Sequence, residues 1–356
     1  MSGRIHFLIF TQNAGVIKPY REHKIRMDQQ ITIRWGIIGC GDVTELKSGP
    51  AFNLVEGSKI IAVMRRNGEK AADYAHRHGI AKWYDNADEL LYDAEINSIY
   101  IATPPAFHKD YAIKALKLGH NVYIEKPVTL NAAEAREIAA AAAVSMGKLT
   151  IAHYRRAVPM FLYIKELLDR KVIGELRTIQ IRMWQPLKPA LIAETEENWR
   201  LDPAISGGGY FHDLAPHQLD LMLYYFGAPK TVHGFSLNQS KASQAPDHTA
   251  GIALFENDIV MNGSWSFNID EEEEVDECLM AGSKGSITFP FFGKSVLWQN
   301  EETDEIQVIP FEHPAHIQHP MIERVVEFFQ GAAENPCTID EAIIVMSMID
   351  ALSVNP

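Results

Sequence analysis

ITIRWGIIGCGDVT, residues 31–44, is an apolar run that closes on two glycines and continues as TELKSGPAFNLVEG. The run reads as a buried strand, the glycines as a tight turn, and the continuation as a helix interrupted near Pro50. Outward from this junction the pattern repeats. SKIIAVM (58–64), INSIYIAT (96–103), HNVYIE (120–125) and KLTIAH (148–153) read as strands. GEKAADYAHRHG (68–79), HKDYAIKALKLG (108–119) and NAAEAREIAAAAAVSMG (131–147) read as helices, the last with Asn131 as its N-cap. Strands alternating with helices build βαβ units on a parallel sheet, so the fold class here is α/β, doubly wound.

After His153 the rhythm changes. One amphipathic helix, MFLYIKELLDRKVIG (160–174), precedes a series of strands running from LRTIQIRMW (176–184) to EIQVIPF (305–311), interrupted by the helix LAPHQLDLMLYYFG (214–227). Strands without intervening helices indicate a mostly antiparallel sheet of an α+β domain. MIERVVEFFQG and IDEAIIVMSMIDAL close the chain as helices. The expected division is an extension over 1–30, a dinucleotide-binding domain over 31–152 and an α+β substrate domain over 153–356. The acidic run DEEEEVDE (270–277) reads as a solvated strand edge or turn.

The chain has 356 residues, enough for two domains with cores of their own. Its formal net charge of −13 argues against a nucleic-acid partner, which leans on clustered Lys and Arg. The three cysteines, Cys40, Cys278 and Cys337, are far apart and form no CxxC pair. They suggest a reducing, cytoplasmic setting without disulfides or a zinc site. No apolar stretch approaches the length of a membrane span. MSGRIHFLIF at the start lacks a small-residue cleavage site, so residues 1–30 read as a dispensable extension rather than a signal peptide.

The turn GCGDVT (39–44) carries the first candidate site. Gly39 permits the turn and Gly41 lets the backbone approach a pyrophosphate, with Asp42 and Val43 opening the helix behind them. Thr44 replaces the third glycine of the usual fingerprint. The second strand ends AVMRRN, placing Arg65 and Arg66 where an NAD site carries an acidic residue. Guanidinium groups pair with a 2′-phosphate that a carboxylate would repel, so NADP(H) is expected over NAD(H), the latter standing as the alternative. The competing reading makes both arginines ordinary surface residues.

GIIGCGDVT, AVMRRNGEKA, ATPPAFHKDYAIKALKLGHNVYIEKP and WRLDPAISGGGYFHDLAPHQLDLMLYYFG, with the spacing among them, resemble the Gfo/Idh/MocA oxidoreductases. That family contains glucose–fructose oxidoreductase, inositol dehydrogenases and dihydrodiol dehydrogenases, and the resemblance runs from about Ile31 to near the C-terminus. It implies a Rossmann domain followed by an open, mostly antiparallel sheet whose outer face mediates homo-oligomers. It also implies a reaction centre of Lys126, Asp213 and His217, with Glu125 by the nicotinamide ribose. Pro105 departs from the asparagine common in the family's TPN segment, which leaves contacts at that position open.

The residues themselves suit that chemistry. Lys126 stands at the carboxyl end of a parallel strand, where doubly wound sheets bind cofactors. His217 has an ordinary pKa near neutrality, suited to moving a proton, and Asp213, one helical turn earlier, could orient it. The plainer alternatives are that Asp213 caps the helix LAPHQLDLMLYYF and that His217 is a polar helix residue. Thr103, Pro104 and His108 border the expected cofactor site, or simply mark a strand exit and a helix start. Tyr154, Arg155, Trp199 and Arg200 are candidate substrate contacts that would equally suit a domain interface. Glycines 207–209 permit a close backbone approach at the cleft. His313, His316 and His319 in HPAHIQHP are expected to bind no metal, since two prolines break the segment and the chemistry needs none.

The expected function is an NADP(H)-preferring oxidoreductase transferring hydride to or from a sugar, cyclitol or related polyol. Two other readings share the fold: a cofactor-sensing regulator without turnover, and a hydrolase using tightly bound NAD for transient oxidation.

Overall fold

The computed structural model describes residues 31–192, 198–303 and 305–355, and these form one compact unit. Residues 1–30, and with them the expected extension, lie outside the described residues. Six parallel strands make the first sheet: β1 (Ile33–Ile38), β2 (Ser58–Met64), β3 (Lys82–Tyr84), β4 (Ser98–Ile101), β5 (Asn121–Ile124) and β6 (Leu149–Ile151). Their order, β3-β2-β1-β4-β5-β6, reverses between β1 and β4. That reversal is the switch point at which doubly wound sheets bind ligands. Helices cover both faces, so β1, β4 and β5 are almost wholly buried and read as apolar runs. The helices of this half are α1 (Asp42–Leu46), α2 (Gly49–Leu54), α3 (Gly68–Arg77), α4 (Ala87–Leu91), α5 (His108–Lys117) and α6 (Ala132–Ala143). The expected interruption near Pro50 is the break between α1 and α2. The short edge strand β3 and the five-residue α4 carry too little pattern to be read from sequence.

The second sheet has eight strands: β7 (Leu176–Trp184), β8 (Thr231–Leu237), β9 (His248–Leu254), β10 (Val260–Ser266), β11 (Val275–Gly282), β12 (Gly285–Phe289), β13 (Ser295–Asn300) and β14 (Gln307–Pro310). Their order is β14-β13-β12-β11-β7-β10-β9-β8, and only the β7–β10 pair is parallel. Its inner face packs on α7 (Pro159–Asp169) and α9 (Gly209–Phe226), with the short α8 (Pro203–Ser206) ahead of α9. The acidic run is a turn only over its first half. From Val275 it enters β11, an interior strand, and the Asp276 carboxylate accepts the Phe291 and Phe292 N–H groups at 2.9 and 2.7 Å. The expectation of a sheet edge there was therefore wrong: Asp276 holds the next hairpin's loop.

The last two helices, α10 (His319–Gln330) and α11 (Ile339–Leu352), return to the first half as well as covering the second. Phe329 of α10 packs on Trp35 of β1 with ring centroids 5.6 Å apart, and Trp35 packs on Phe52 at 4.7 Å. Ile151 N–H and the Thr150 hydroxyl both donate to the Cys337 carbonyl, at 3.1 and 3.0 Å. The apolar core is thus continuous between the two sheets. Among the described residues no helix is long and apolar enough to cross a membrane.

Candidate active site

β5 delivers Glu125 and Lys126 to its carboxyl end, and the Lys126–Pro127 peptide is cis. Glu125 is buried and fully engaged. Its Oε1 accepts Tyr100 O–H at 2.5 Å and Gln318 Nε2–H at 2.6 Å, and Oε2 accepts the Lys126 N–H at 3.2 Å. Lys126 reaches across to α9, where its Nζ donates to Asp213 Oδ1 at 2.7 Å and to the Asp213 carbonyl at 2.8 Å. Arg200 Nε donates to the other carboxylate oxygen, Oδ2, at 2.7 Å. Burial works to raise the Asp213 pKa, but the Lys126 and Arg200 charges outweigh it and hold the carboxyl well below its usual range.

α9 begins at Gly209, four residues before Asp213, so Asp213 is not its N-cap. Pro216 is likewise interior, with no N–H to give the His212 carbonyl. Asp213 and His217, four apart, fall on one face toward the cavity. His217 is buried, packed edge-on between Tyr154 at 5.1 Å and Phe292 at 5.9 Å, and its Nδ1 has no hydrogen-bond partner. Burial, then the Lys126 and Arg155 charges, push its pKa well below 6.5. This corrects two expectations. The imidazole does not titrate near neutrality in this setting, and Asp213 is the partner of Lys126 and Arg200 rather than of His217.

Around these groups lies a cavity of about 330 Å³. Of the expected residues, Asp42, Val43, Thr103, Glu125, Lys126, Tyr154, Arg155, Trp199, Arg200, Asp213 and His217 line it. Pro104 does not, its place being taken by Pro105. His108 also stands away from it, buried, with Nε2 at 2.6 Å from the Thr103 carbonyl and Nδ1 at 3.0 Å from that of Pro127. Its task is to tie those two loop segments together, not to meet a cofactor. Lys47, Ala102 and Leu214 lie beside them in the lining, and Leu191, Ile192, Phe292, His313 and Ile317 complete it. They come from loops remote in sequence, and no local pattern marks them.

The segment HPAHIQHP, weighed in the sequence only for metal, straps the first sheet's binding edge. His316 Nδ1 stands 2.6 Å from the Leu46 carbonyl, Gln318 N–H donates to the Lys47 carbonyl at 3.2 Å, and His313 Nε2 lies 2.9 Å from the Gly293 carbonyl. The glycines at 207–209 also serve a different purpose from the one expected. They do not line the cavity: Gly207 and Gly208 make room for the buried His212 ring, and Gly209 for Ala245. A Cβ on Gly208 would fall 2.2 Å from His212 Nδ1. Gly208→Ala should lower stability by about 2 kcal/mol in urea melts, the cost of overpacking a filled site. An unchanged midpoint would show that His212 moves aside freely.

The residues present fit a dinucleotide. Gly39 takes φ +96°, and a Cβ there would meet the Ala102 and Thr103 backbone within 2.9 Å. Gly41 opens onto free space, with nothing within 4 Å of an added Cβ. The Asp42 and Val43 N–H groups that open α1 have no helical acceptors, while Thr44 N–H donates to the Gly41 carbonyl at 2.9 Å. Arg65 Nη1 donates to the Cys40 carbonyl of the glycine turn at 3.4 Å, and the exposed Arg66 lies over Phe107 at 4.9 Å. The buried Thr103 hydroxyl has no partner.

A glycine turn at the switch point, leading to a lysine–carboxylate–histidine cluster contributed by both halves, defines a nucleotide-dependent oxidoreductase. The "Oxidoreductase family, NAD-binding Rossmann fold" model matches residues 33–153, and the "GFO/IDH/MocA C-terminal domain" model matches residues 161–288. The chain is 46% identical over 318 residues to "Oxidoreductase P35" of Formosa agariphila, covering 89% of this chain and 97% of that protein. It belongs to the Gfo/Idh/MocA family of NAD(P)-dependent oxidoreductases. It is also 24% identical to the NADP(+) scyllo-inositol 2-dehydrogenase IolW of Bacillus subtilis, over 90% of this chain and 92% of that one. A solved levoglucosan dehydrogenase, in complex with NADH and levoglucosan, shares the fold with a TM-score of 0.76 at 18% identity, covering 90% of this chain and 96% of that one.

Proposed function

We propose that this chain is an NADP(H)-preferring oxidoreductase acting on a sugar, cyclitol or related polyol, with Lys126, Asp213 and His217 as its reaction centre. The observation that carries the reading is the Lys126 ammonium, locked by Asp213 at 2.7 Å beside a neutral, buried His217. When bound, the nicotinamide accepts or supplies the hydride. Gly39, Gly41, Asp42, Val43, Thr103 and Glu125 would hold the dinucleotide, with Arg65 and Arg66 on a 2′-phosphate.

Lys126 has three N–H donors, and Asp213 takes two of them. The third is left for the substrate oxygen, where it stabilises alkoxide character. Arg200 keeps Asp213 ionised, and Asp213 in turn holds the Lys126 side chain in place. His217 is uncharged at neutral pH and has a vacant ring nitrogen, so it accepts the hydroxyl proton during oxidation and returns it during reduction. The division into 31–152 for cofactor and 153–356 for substrate belongs to the same proposal.

The test is a panel of sugars, inositols and dihydrodiols assayed with both cofactors by nicotinamide absorbance. Turnover of none of them would defeat the reading. For the cofactor, the double substitution Arg65→Ser/Arg66→Ser should weaken NADPH binding by roughly 10- to 100-fold while moving NADH only a few-fold. That range corresponds to the loss of charge-assisted hydrogen bonds. Equal effects on the two dinucleotides in a fluorescence titration would reject the NADP(H) preference.

The outer face of the second sheet carries exposed Phe235, Ile252, Val260 and Val308. Cross-strand register puts Ile252 and Val308 in one row and Phe235 and Val260 on the same side. Such a face suits pairing with a second copy, and sedimentation analysis that found only monomer would remove it from the proposal.

A further inference from the structure

Two adjacent arginines follow β6, and their surroundings differ sharply. Arg156 is buried and paired: its Nε and Nη2 engage Asp220 at 2.7–3.1 Å, and its Nη1 meets Glu341 at 2.5 Å. Arg155 is 5% exposed and lines the cavity, yet among the described residues no carboxylate lies within ion-pair reach of it. Its Nη1 donates to the Phe291 carbonyl, and its buried Nε has no acceptor at all. The Phe292 ring lies 4.2 Å from the guanidinium carbon, with Phe161 at 5.5 Å and Tyr154 at 5.7 Å.

Aromatic faces offset part of the cost of burying a cation, but they do not replace an anion. The carboxylate of Asp276 acts on Arg155 from further off, and both its oxygens already accept backbone N–H groups. The wider site tips the same way. Lys47, Lys126, Arg155 and Arg200 face the cavity against the carboxylates of Asp42, Glu125 and Asp213, and Asp213 is shared between Lys126 and Arg200. One positive charge is left over. Arg200 Nη1 is a second buried guanidinium nitrogen without a partner.

We infer that the substrate carries a carboxylate, received by the Arg155 guanidinium, and that it is a sugar acid of the hexuronic or aldonic class rather than a neutral sugar. This rests on the cavity being the substrate site proposed above. A planar guanidinium with free edge donors matches a carboxylate fork. One uncompensated positive charge also balances a monoanion better than a phosphate dianion.

The experiment measures binding, so it does not depend on turnover. Protein saturated with NADP(+) is titrated calorimetrically with hexuronates and aldonates, their neutral parent sugars, and hexose 6-phosphates. At least one acid should bind roughly 10- to 100-fold more tightly than its neutral parent, the range of a charge-assisted hydrogen bond in a dry site. Arg155→Met should remove that ratio, and Arg155→Lys should retain part of it. A panel in which no acid outbinds its parent overturns the inference, as does tighter binding of the phosphates. The wild-type comparison decides even if a variant fails to fold. Turnover of neutral sugars alone would leave the oxidoreductase reading standing while this one fell.

Discussion

Replacing Lys126 with methionine should lower turnover by at least about 10³-fold while changing cofactor affinity only a few-fold. Two contributions are lost together: the donor to the developing alkoxide and the charge that helps keep it anionic, each worth roughly 10²-fold or more. Arg200 would remain on Asp213 Oδ2, so the carboxylate would keep one partner and the cleft one of its two bridges. Lys126→Arg preserves charge but spreads it over a planar fork, which cannot reproduce an ammonium aimed at both the Asp213 side chain and its carbonyl. It should recover little. Single-turnover measurements separate this from a folding defect, because cofactor binding reports the integrity of the first sheet. A loss of less than about 10-fold in the methionine variant would move the chemistry elsewhere.

The second large effect is on stability at mildly acid pH. His212 is buried against the glycine turn, and burial pushes its pKa from 6.5 to about 4. His153 and His217 are lowered by burial as well. A histidine depressed in the folded state favours the unfolded chain as protons become available. Its stabilising contribution is complete above pH 6.5 and is lost as pH falls toward the folded value. For His212 alone the loss at pH 5 is about 2 kcal/mol, and the other two add in the same direction. Asp213, whose pKa is lowered, contributes fully above the ordinary carboxylate range and loses that contribution only below it, so it does not obscure this window. Asp276 and Asp350, raised by burial, pull the other way toward the acid end. Urea melts at pH 7.5 and 5 should therefore show a loss exceeding about 2 kcal/mol, and His212→Asn should flatten the slope. A flat profile would mean that these rings take up protons in the native protein over the same range as in the unfolded chain.

The first half was legible because its signals are local. Apolar runs such as IRWGII and SIYI are buried on both faces, and Gly39 ends the first where a turn must follow. β3 and α4 went unread because three half-exposed residues and a five-residue helix leave almost no periodicity. The site was legible at residue level but not in its wiring. EKP and GGGYFHDLAPH pointed to Lys126, Asp213 and His217, yet nothing in the spacing tells that Asp213 faces Lys126 rather than His217, since that contact spans 87 positions. His217's depressed acidity was invisible for the same reason, because burial is a property of packing. His313 and His316 were weighed only for metal: their hydrogen-bonding role appears only when the segment lies against Gly293 and Leu46.

The seating of α10 and α11 against β1 and β6 bears on how the polypeptide is made. Trp35 and Thr150 emerge from the ribosome long before Phe329 and Cys337, the residues that cover and bond them. The nucleotide-binding half therefore cannot complete its interior until Phe329 and Cys337 have been made, unlike domains that fold as units in N-to-C order. A nascent chain halted after residue 160 would display an uncovered aromatic face, which stays open until Phe329 and Cys337 have emerged.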